Sequence, residues 1–290
     1  MSAATTVVIC TINRPAIVDE TLRSLLRQPR FHSEIIVSSG SETSLKTETT
    51  LLPRIRLVRG VKGLTKQRNA ALQLVDTPYV LFVDDDVELD PEYIVRMESL
   101  FGQHPEIAIA CGHAVLDRLE TRRPVTREMA FRALKDTARA TGWEPGPRWI
   151  RGHNMFVRTE VAKRTGFDEH LPLYALYEDL DFVARCQKHG KAARNMEARI
   201  VHLGTMTGRI NEVRLGYSQF ANAWYLVGKG IWQFGVVLQV WAIQLGGNLV
   251  WSLVVRKAEL ADRRSRLKGN LFALADLVRG RLDPENIVAM

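Results

Sequence analysis

Short runs of β-formers alternate with helix-like stretches along the first third of the chain, and this alternation narrows the possible folds more than any other feature. Thr6-Val7-Val8-Ile9-Cys10, residues 34–37, residues 55–58 and Tyr79-Val80-Leu81-Phe82-Val83 read as strands, short, apolar and rich in β-branched residues. Between them, residues 19–28 put Leu22, Leu25 and Leu26 on one helical face, and residues 65–75 gather Ala70, Ala71, Leu74 and Val75 behind a capping Thr65. The order strand, helix, strand, strand, helix, strand, with short connectors, predicts an α/β fold with a mostly parallel sheet wrapped by helices. At 290 residues the chain is long enough for one large α/β domain or for a domain plus an appendage, and we place the division at 1–210 and 211–290.

Asp84, Asp85 and Asp86 stand at the carboxyl end of the fourth strand, where open α/β sheets bind their ligands. Three adjacent like charges repel unless solvent, basic side chains or a cation neutralises them. Hard oxygen donors select Mg²⁺ or Mn²⁺. A solvated acidic loop ahead of a helix opened by Pro91 accounts for the same residues.

The formal charge of +8 favours an anionic partner such as nucleotide phosphates or anionic lipid. No zinc-finger spacing, RNA-binding aromatic signature or heptad-linked basic region points to nucleic acid. Cys10, Cys111 and Cys186 are isolated and odd in number, as expected of reduced core thiols, and no leader precedes the first strand; both features predict a cytoplasmic catalytic part.

Beyond the triplet, a helix over residues 91–101, strands over 107–111 and 154–157 and a helix over 159–165 surround a polar stretch, 118–147, expected to be partly helical and mobile. Residues 178–188 read as a helix with Leu180, Val183 and Ala184 inward and Glu178, Asp179 and Asp181 in its first turn, where acids complement the helix dipole. An acid there facing the sheet edge, Asp179, would be a second carboxylate group able to accept a proton. Residues 230–255 carry no charge and are bracketed by Lys229, Arg256 and Lys257, as in a membrane span. Gln244, Asn248 and Ser252 nevertheless form a polar stripe, and Gly246-Gly247 offers a break, so a spanning helix, an interfacial or partner-facing amphipathic helix pair and ordinary core helices all remain open. The basic tail suits an anionic membrane surface.

Eight segments in order over residues 5–205 carry a family resemblance: Val8-Ile9-Cys10-Thr11-Ile12-Asn13-Arg14-Pro15, Glu34-Ile35-Ile36-Val37 with Gly40-Ser41, Gly63-Leu64-Thr65-Lys66-Gln67-Arg68-Asn69-Ala70-Ala71, Leu81-Phe82-Val83-Asp84-Asp85-Asp86, Gly152-His153-Asn154-Met155, Gly166-Phe167-Asp168-Glu169, Tyr177-Glu178-Asp179-Leu180-Asp181 and Val201-His202. The chain resembles the family 2 glycosyltransferases of the GT-A fold, in particular bacterial enzymes of cell-envelope and exopolysaccharide synthesis. The resemblance implies a Rossmann-like sheet with a C-terminal helical appendage, and an inverting, metal-assisted transfer from a nucleotide-diphosphate sugar to a glycan or lipid-linked hydroxyl. It implies Asp86 and His202 as metal ligands and Asp179 as general base. Thr11, Asn13, Arg14, Ser38, Arg68, Asp84 and Asp85 fall on its nucleotide side, and Gly152, His153, Asn154 and Glu178 on its acceptor or donor-sugar side. Where the family often has an aspartate at the end of the second strand, this chain has Ser38-Ser39, which leaves the base open among UDP, as default, dTDP and GDP. Trp143, Trp149 and Tyr174 are candidate stacking surfaces for a sugar.

These residues imply an enzyme on the inner face of the cell membrane, attached through residues 230–290. A nucleotidyltransferase acting on sugar phosphates and a catalytically silent scaffold binding a membrane partner are the competing expectations.

Overall fold

A computed structural model describes residues 4–28, 33–41, 53–121, 124–147, 150–205, 211–254 and 263–290. Trp149, Arg256, Lys257 and the side chain of Ser252, all named above, lie outside the described residues. The chain divides into two compact units, one of Met1–Lys62, Lys66–Phe167 and Phe182–Gly208, the other of Gly63–Thr65, Asp168–Asp181 and Arg209–Met290.

The first unit is built on a nine-stranded sheet: β1 (Thr5–Thr11), β2 (Glu34–Ser39), β3 (Ile55–Arg59), β4 (Tyr79–Asp84), β5 (Val87–Leu89), β6 (Ile107–Asp117), β7 (Trp143–Pro145), β8 (Asn154–Arg158) and β9 (Lys191–His202). Its order is β3-β2-β1-β4-β8-β6-β9-β5, with β7 beside β9. The half from β3 to β4 is parallel, while β8, β5 and β7 run antiparallel to their neighbours. Period-two alternation sends Val7, Ile9, Ile35, Val37, Leu81 and Val83 to one face and Val8, Ile36, Val80 and Phe82 to the other.

Helices cover both faces, which is why these strands read as unbroken apolar runs. Helix α1 (Pro15–Leu26) packs Val18, Leu22 and Leu25 on the first face beside α3 (Tyr93–Gln103). Helix α2 (Leu64–Leu72), α6 (Thr159–Thr165) and the later turns of α7 (Glu178–Cys186) supply the second. Helix α1 starts at Pro15 rather than near Asp19 because proline suits the first helical turn. Thr65 does not cap α2; its hydroxyl donates to the Leu171 carbonyl at 3.1 Å. The stretch 118–147 contains α4 (Arg118–Thr121), α5 (Arg127–Asp136) and β7, and Thr126 caps α5 through the Met129 N–H at 3.2 Å.

One brace fixes β6 against β8. Asn154 accepts from the Tyr93 hydroxyl and from the Gly112 N–H at 3.0 Å, and returns its amide to the Gly112 carbonyl at 3.0 Å. A Cβ on Gly112 would sit 2.3 Å from the Ala198 carbonyl oxygen and 2.4 Å from the Tyr93 ring. Gly112→Ala is therefore expected to destabilise the first unit by about 1–3 kcal/mol or more through overpacking, read as a lower thermal unfolding midpoint.

The second unit contains α8 (Glu212–Gly228), α9 (Phe234–Val254), α10 (Arg263–Val278) and a short 3₁₀ turn at Pro284–Val288. Tyr217, Phe220, Ala221, Val237, Trp241, Ala273 and Ile287 form its core. Helix α9 runs through Gly246-Gly247, where the sequence offered a break, as one helix. Each glycine costs about 1 kcal/mol relative to alanine, a penalty that side-chain packing on either side, at buried Trp241 and Asn248, can offset.

Candidate active site

Strand pairing assembles the acidic site. Asp84 ends β4, and Asp85-Asp86 turn the chain into β5, whose Val87 lies opposite His202 of β9. On its other side His202 is registered with Asp117, the last residue of β6. His202 Nε2 consequently lies 3.5 Å from Asp86 Oδ1 and 3.9 Å from Asp84 Oδ2, while Nδ1 lies 3.0 Å from Asp117 Oδ1. Burial alone would lower the His202 pKa, but the bonds to Asp117 and Asp86 and the charges of Asp86 and Asp84 push it up to about 10. Against its own burial, Asp86 is held well below the usual carboxylate range by His202 and by the Thr205 hydroxyl and N–H, at 2.5 and 2.6 Å.

Asp84, Asp86 and His202 each present one ligand atom within 4.8 Å of the others. Two carboxylates and an imidazole suit Mg²⁺ or Mn²⁺. Asp117 completes the arrangement by engaging the far ring nitrogen, the carboxylate–histidine pairing that orients metal-binding imidazoles. The donor set fits a divalent cation. Asp117, His153 and His202 form an overlapping group of the same span, in which Asp117 Oδ1 faces His202 Nδ1 and Oδ2 lies 3.9 Å from His153 Nε2.

Asp85 points elsewhere. Its carboxylate accepts from Thr11 at 2.6 Å and from Arg14 at 2.9 Å, and its carbonyl accepts from Thr21 at 2.5 Å. Burial outweighs these partners and raises its pKa to about 6. Asn13, in the turn between Thr11 and Arg14, takes a left-handed φ of 54°. Arg68, buried at 2% exposure, donates to the Gly152 carbonyl at 2.9 Å, lies 3.8 Å from Asp84 and sits 5.1 Å over the Phe167 ring. Asn69 holds that ring's backbone with a pair of bonds to Phe167, 2.8 and 2.9 Å.

His153 stacks on His202 with ring centres 4.2 Å apart. Its own burial and then the His202 charge lower its pKa to about 3, so the stacked ring is neutral. Asn154, expected on the sugar side, is 2% exposed and is the β6–β8 brace. Ser38, next to last in β2, has a fully buried hydroxyl with no hydrogen-bond partner among the described residues; its carbonyl, like that of Thr11, accepts from Gln67. Trp143 packs edge-on against His104. The sequence reading missed Asp117, Thr205 and Gln67; Gln67 alone had a signal, its place in the helix-opening segment beside Arg68.

Glu178 and Asp179 open α7 in the second unit. The segment before them is strained: Leu173, Ala175 and Tyr177 adopt φ of 58°, 53° and 69°, unusual for residues with a Cβ. Surrounding bonds hold it there, Asn222 to the Leu176 carbonyl at 2.9 Å, Gln244 to the Tyr177 hydroxyl at 2.8 Å and the Leu64 N–H to the Leu173 carbonyl at 2.8 Å. Asp179 Oδ1 accepts the Leu180 N–H at 2.9 Å, and Glu178 is 5% exposed. Lys229, which brackets the uncharged stretch, pairs with Asp168 and Asp181. Backbone strain of this kind persists only where neighbours over-determine it, and it concentrates at functional sites.

Among solved structures the chain is similar to TarS of S. aureus (residues 1–349; TM-score 0.53, 15% identity, 95% of this chain and 73% of that one). It is also similar to GalNAc-T7 determined with UDP, GalNAc and Mn²⁺ (TM-score 0.58, 13% identity, 96% and 58%). These likenesses show the GT-A fold. Glutamate--tRNA ligase of Bradyrhizobium diazoefficiens is 28% identical over 101 residues, 35% of this chain. The chain spans only 20% of that protein's length, and a match so confined carries no activity across. The glycosyl transferase family 2 profile matches residues 6–166, which include Thr11, Arg14, Arg68, the acidic triplet, Asp117 and Gly152-His153-Asn154, and by this match over more than half of its length the chain belongs to glycosyl transferase family 2.

Proposed function

We propose that this glycosyltransferase moves a sugar from a nucleotide diphosphate to a hydroxyl of a glycan or lipid-linked acceptor, with inversion, in cell-envelope or exopolysaccharide synthesis. The observation that carries the reading is the convergence of Asp84, Asp86 and His202. Asp84, Asp86 and His202 would hold Mg²⁺ or Mn²⁺; bound there, the cation would offset charge on the departing nucleoside diphosphate. Arg14 and Arg68, both beside the acidic triplet, are suited to diphosphate oxygens. The Ser38 hydroxyl supplies a neutral hydrogen-bonding group on the nucleotide side. Asp179 takes the proton from the acceptor hydroxyl as it attacks the anomeric carbon opposite the diphosphate. GalNAc-T7 with UDP and Mn²⁺ makes UDP the first donor to try.

The test is transfer of radiolabelled sugar from UDP, dTDP and GDP donors to a membrane-lipid acceptor fraction. One donor is expected to label the acceptor, with labelling abolished by chelator and restored by Mn²⁺ or Mg²⁺. Labelling undiminished by exhaustive chelation would remove the metal from the proposal, and donor binding without transfer would favour the silent scaffold.

We further propose that α9 and α10 lie on the inner face of the cell membrane. Helix α9 has an inverted pattern for a helix in water. Its polar Gln244 and Asn248 face the unit's interior, bonded to Tyr177 and Asn270 at 2.8 and 2.7 Å, while Leu238, Ile243, Leu249, Val250 and Trp251 are exposed. An outward apolar face needs an apolar solvent, and these inward polar bonds favour lying on the bilayer over crossing it. Ile243→Glu with Val250→Glu is expected to weaken co-sedimentation with phosphatidylglycerol vesicles about tenfold. If sedimentation velocity shows a dimer that the same pair disperses, with vesicle binding unchanged, the face belongs to a second copy.

A further inference from the structure

A cavity in the first unit, of about 600 Å³, lies beside edge strand β5, between α1 and α5. Its size falls within the range of about 300–1,000 Å³ usual for small-molecule sites. It is distinct from the acidic site: its walls come from the outward face of α1, the end of β5 with Asp90, one face of α5, and Arg199 of β9.

Its buried wall is polar and ion-paired. Glu88 and Asp90 are each 2% exposed and Arg199 is 6% exposed. Arg127 pairs with Glu88 at 2.9 Å, Arg199 pairs with Asp90 at 2.6 Å, and Arg139 reaches Asp90 at 2.9 Å. These ion pairs neutralise the buried carboxylates. Two exposed cations at the mouth, Arg27 and Lys135, form no ion pair among the described residues. The apolar part of the lining has Leu89 and Leu134 buried and Pro91 and Phe131 exposed.

We propose that this cavity binds an anionic amphiphile, a molecule with a phosphate head held by Arg27 and Lys135 and a short hydrocarbon body seated on Leu89, Phe131 and Leu134. The unpaired cations select charge, and the apolar floor selects a body that a free anion lacks. A neutral amphiphile would leave both cations unmatched, and inorganic phosphate would leave the floor bare. The inference rests on this cavity alone and stands apart from the transfer mechanism. The cavity also borders the acidic loop, because Arg127 donates to the Thr21 hydroxyl at 2.6 Å and Thr21 in turn donates to the Asp85 carbonyl.

The test is calorimetric titration of the full chain with hexyl phosphate, inorganic phosphate and 1-hexanol, repeated on Arg27→Glu/Lys135→Glu. Both residues are exposed and unpaired among the described residues, so the variant keeps the fold. Hexyl phosphate is expected to bind one per chain, more tightly than either partial analogue, and at least about tenfold more weakly to the variant. Parallel co-sedimentation with phosphatidic acid vesicles separates the two sources of such a head group. A loss of vesicle binding in the variant assigns the site to lipid, and unchanged vesicle binding beside weakened hexyl phosphate binding assigns it to a soluble phosphate. Hexyl phosphate binding that is absent, or equally tight in the variant, overturns the proposal.

Discussion

Asp179→Asn is expected to lower sugar transfer by about 10²–10⁴-fold, the usual contribution of a positioned general base, with donor KM little changed. Asparagine keeps the size of the side chain and can still accept the Leu180 N–H, so the opening of α7 should survive. What it cannot do is accept a proton. The bonds that Asn222, Gln244 and the Leu64 N–H make to the strained Leu173–Tyr177 segment stay in place in the variant. Asp181→Asn supplies the contrast. Asp181 is fully buried and pairs with Lys229, so its loss should appear first as a lower melting temperature. Transfer by Asp179→Asn within a few-fold of the parent would refute the base assignment.

The residues that carry this chemistry were legible to different degrees, for physical reasons. Strands β1 and β4 announce themselves as apolar runs because both their faces are covered, and the acids after β4 are placed by that strand alone. The environment of His202 could not be read in the same way, since it is made by long-range pairing. Strand β5 has three residues, too few to leave a periodic signal, yet its register with β9 brings His202 to Asp86. Strand β9 begins at Lys191 and runs through a polar stretch with weak β-propensity. Asp117 lies far from the triplet in sequence and becomes its neighbour only when β6 aligns with β9. Asn154 shows the reverse case, a segment matched by resemblance whose side chain serves as a brace. On α9 the polar stripe was visible, but its direction was not. A helical pattern gives a face, and only packing against Tyr177 and Asn270 shows that the face is the inner one.

The metal assignment predicts a graded series in Mn²⁺ binding, measured by electron paramagnetic resonance titration without donor or acceptor. Asp86→Asn retains an oxygen for the Thr205 N–H but removes a charge from the donor set, and Mn²⁺ affinity is expected to fall at least about 100-fold, with transfer falling in step. Asp117→Asn leaves Asp84, Asp86 and His202 in place and weakens the group that orients His202 Nδ1, for which a loss of about 10–100-fold is usual. Asp85→Asn should change Mn²⁺ affinity least, because that carboxylate is turned to Thr11 and Arg14. The order Asp86, Asp117, Asp85 follows from which oxygen faces which nitrogen of His202, and a general loss of negative charge at the sheet edge would make Asp85 as costly as Asp86. Equal losses at Asp85 and Asp86 would therefore reject a discrete coordination site in favour of diffuse electrostatic attraction, and unaltered binding in Asp86→Asn would remove the metal from this triad altogether.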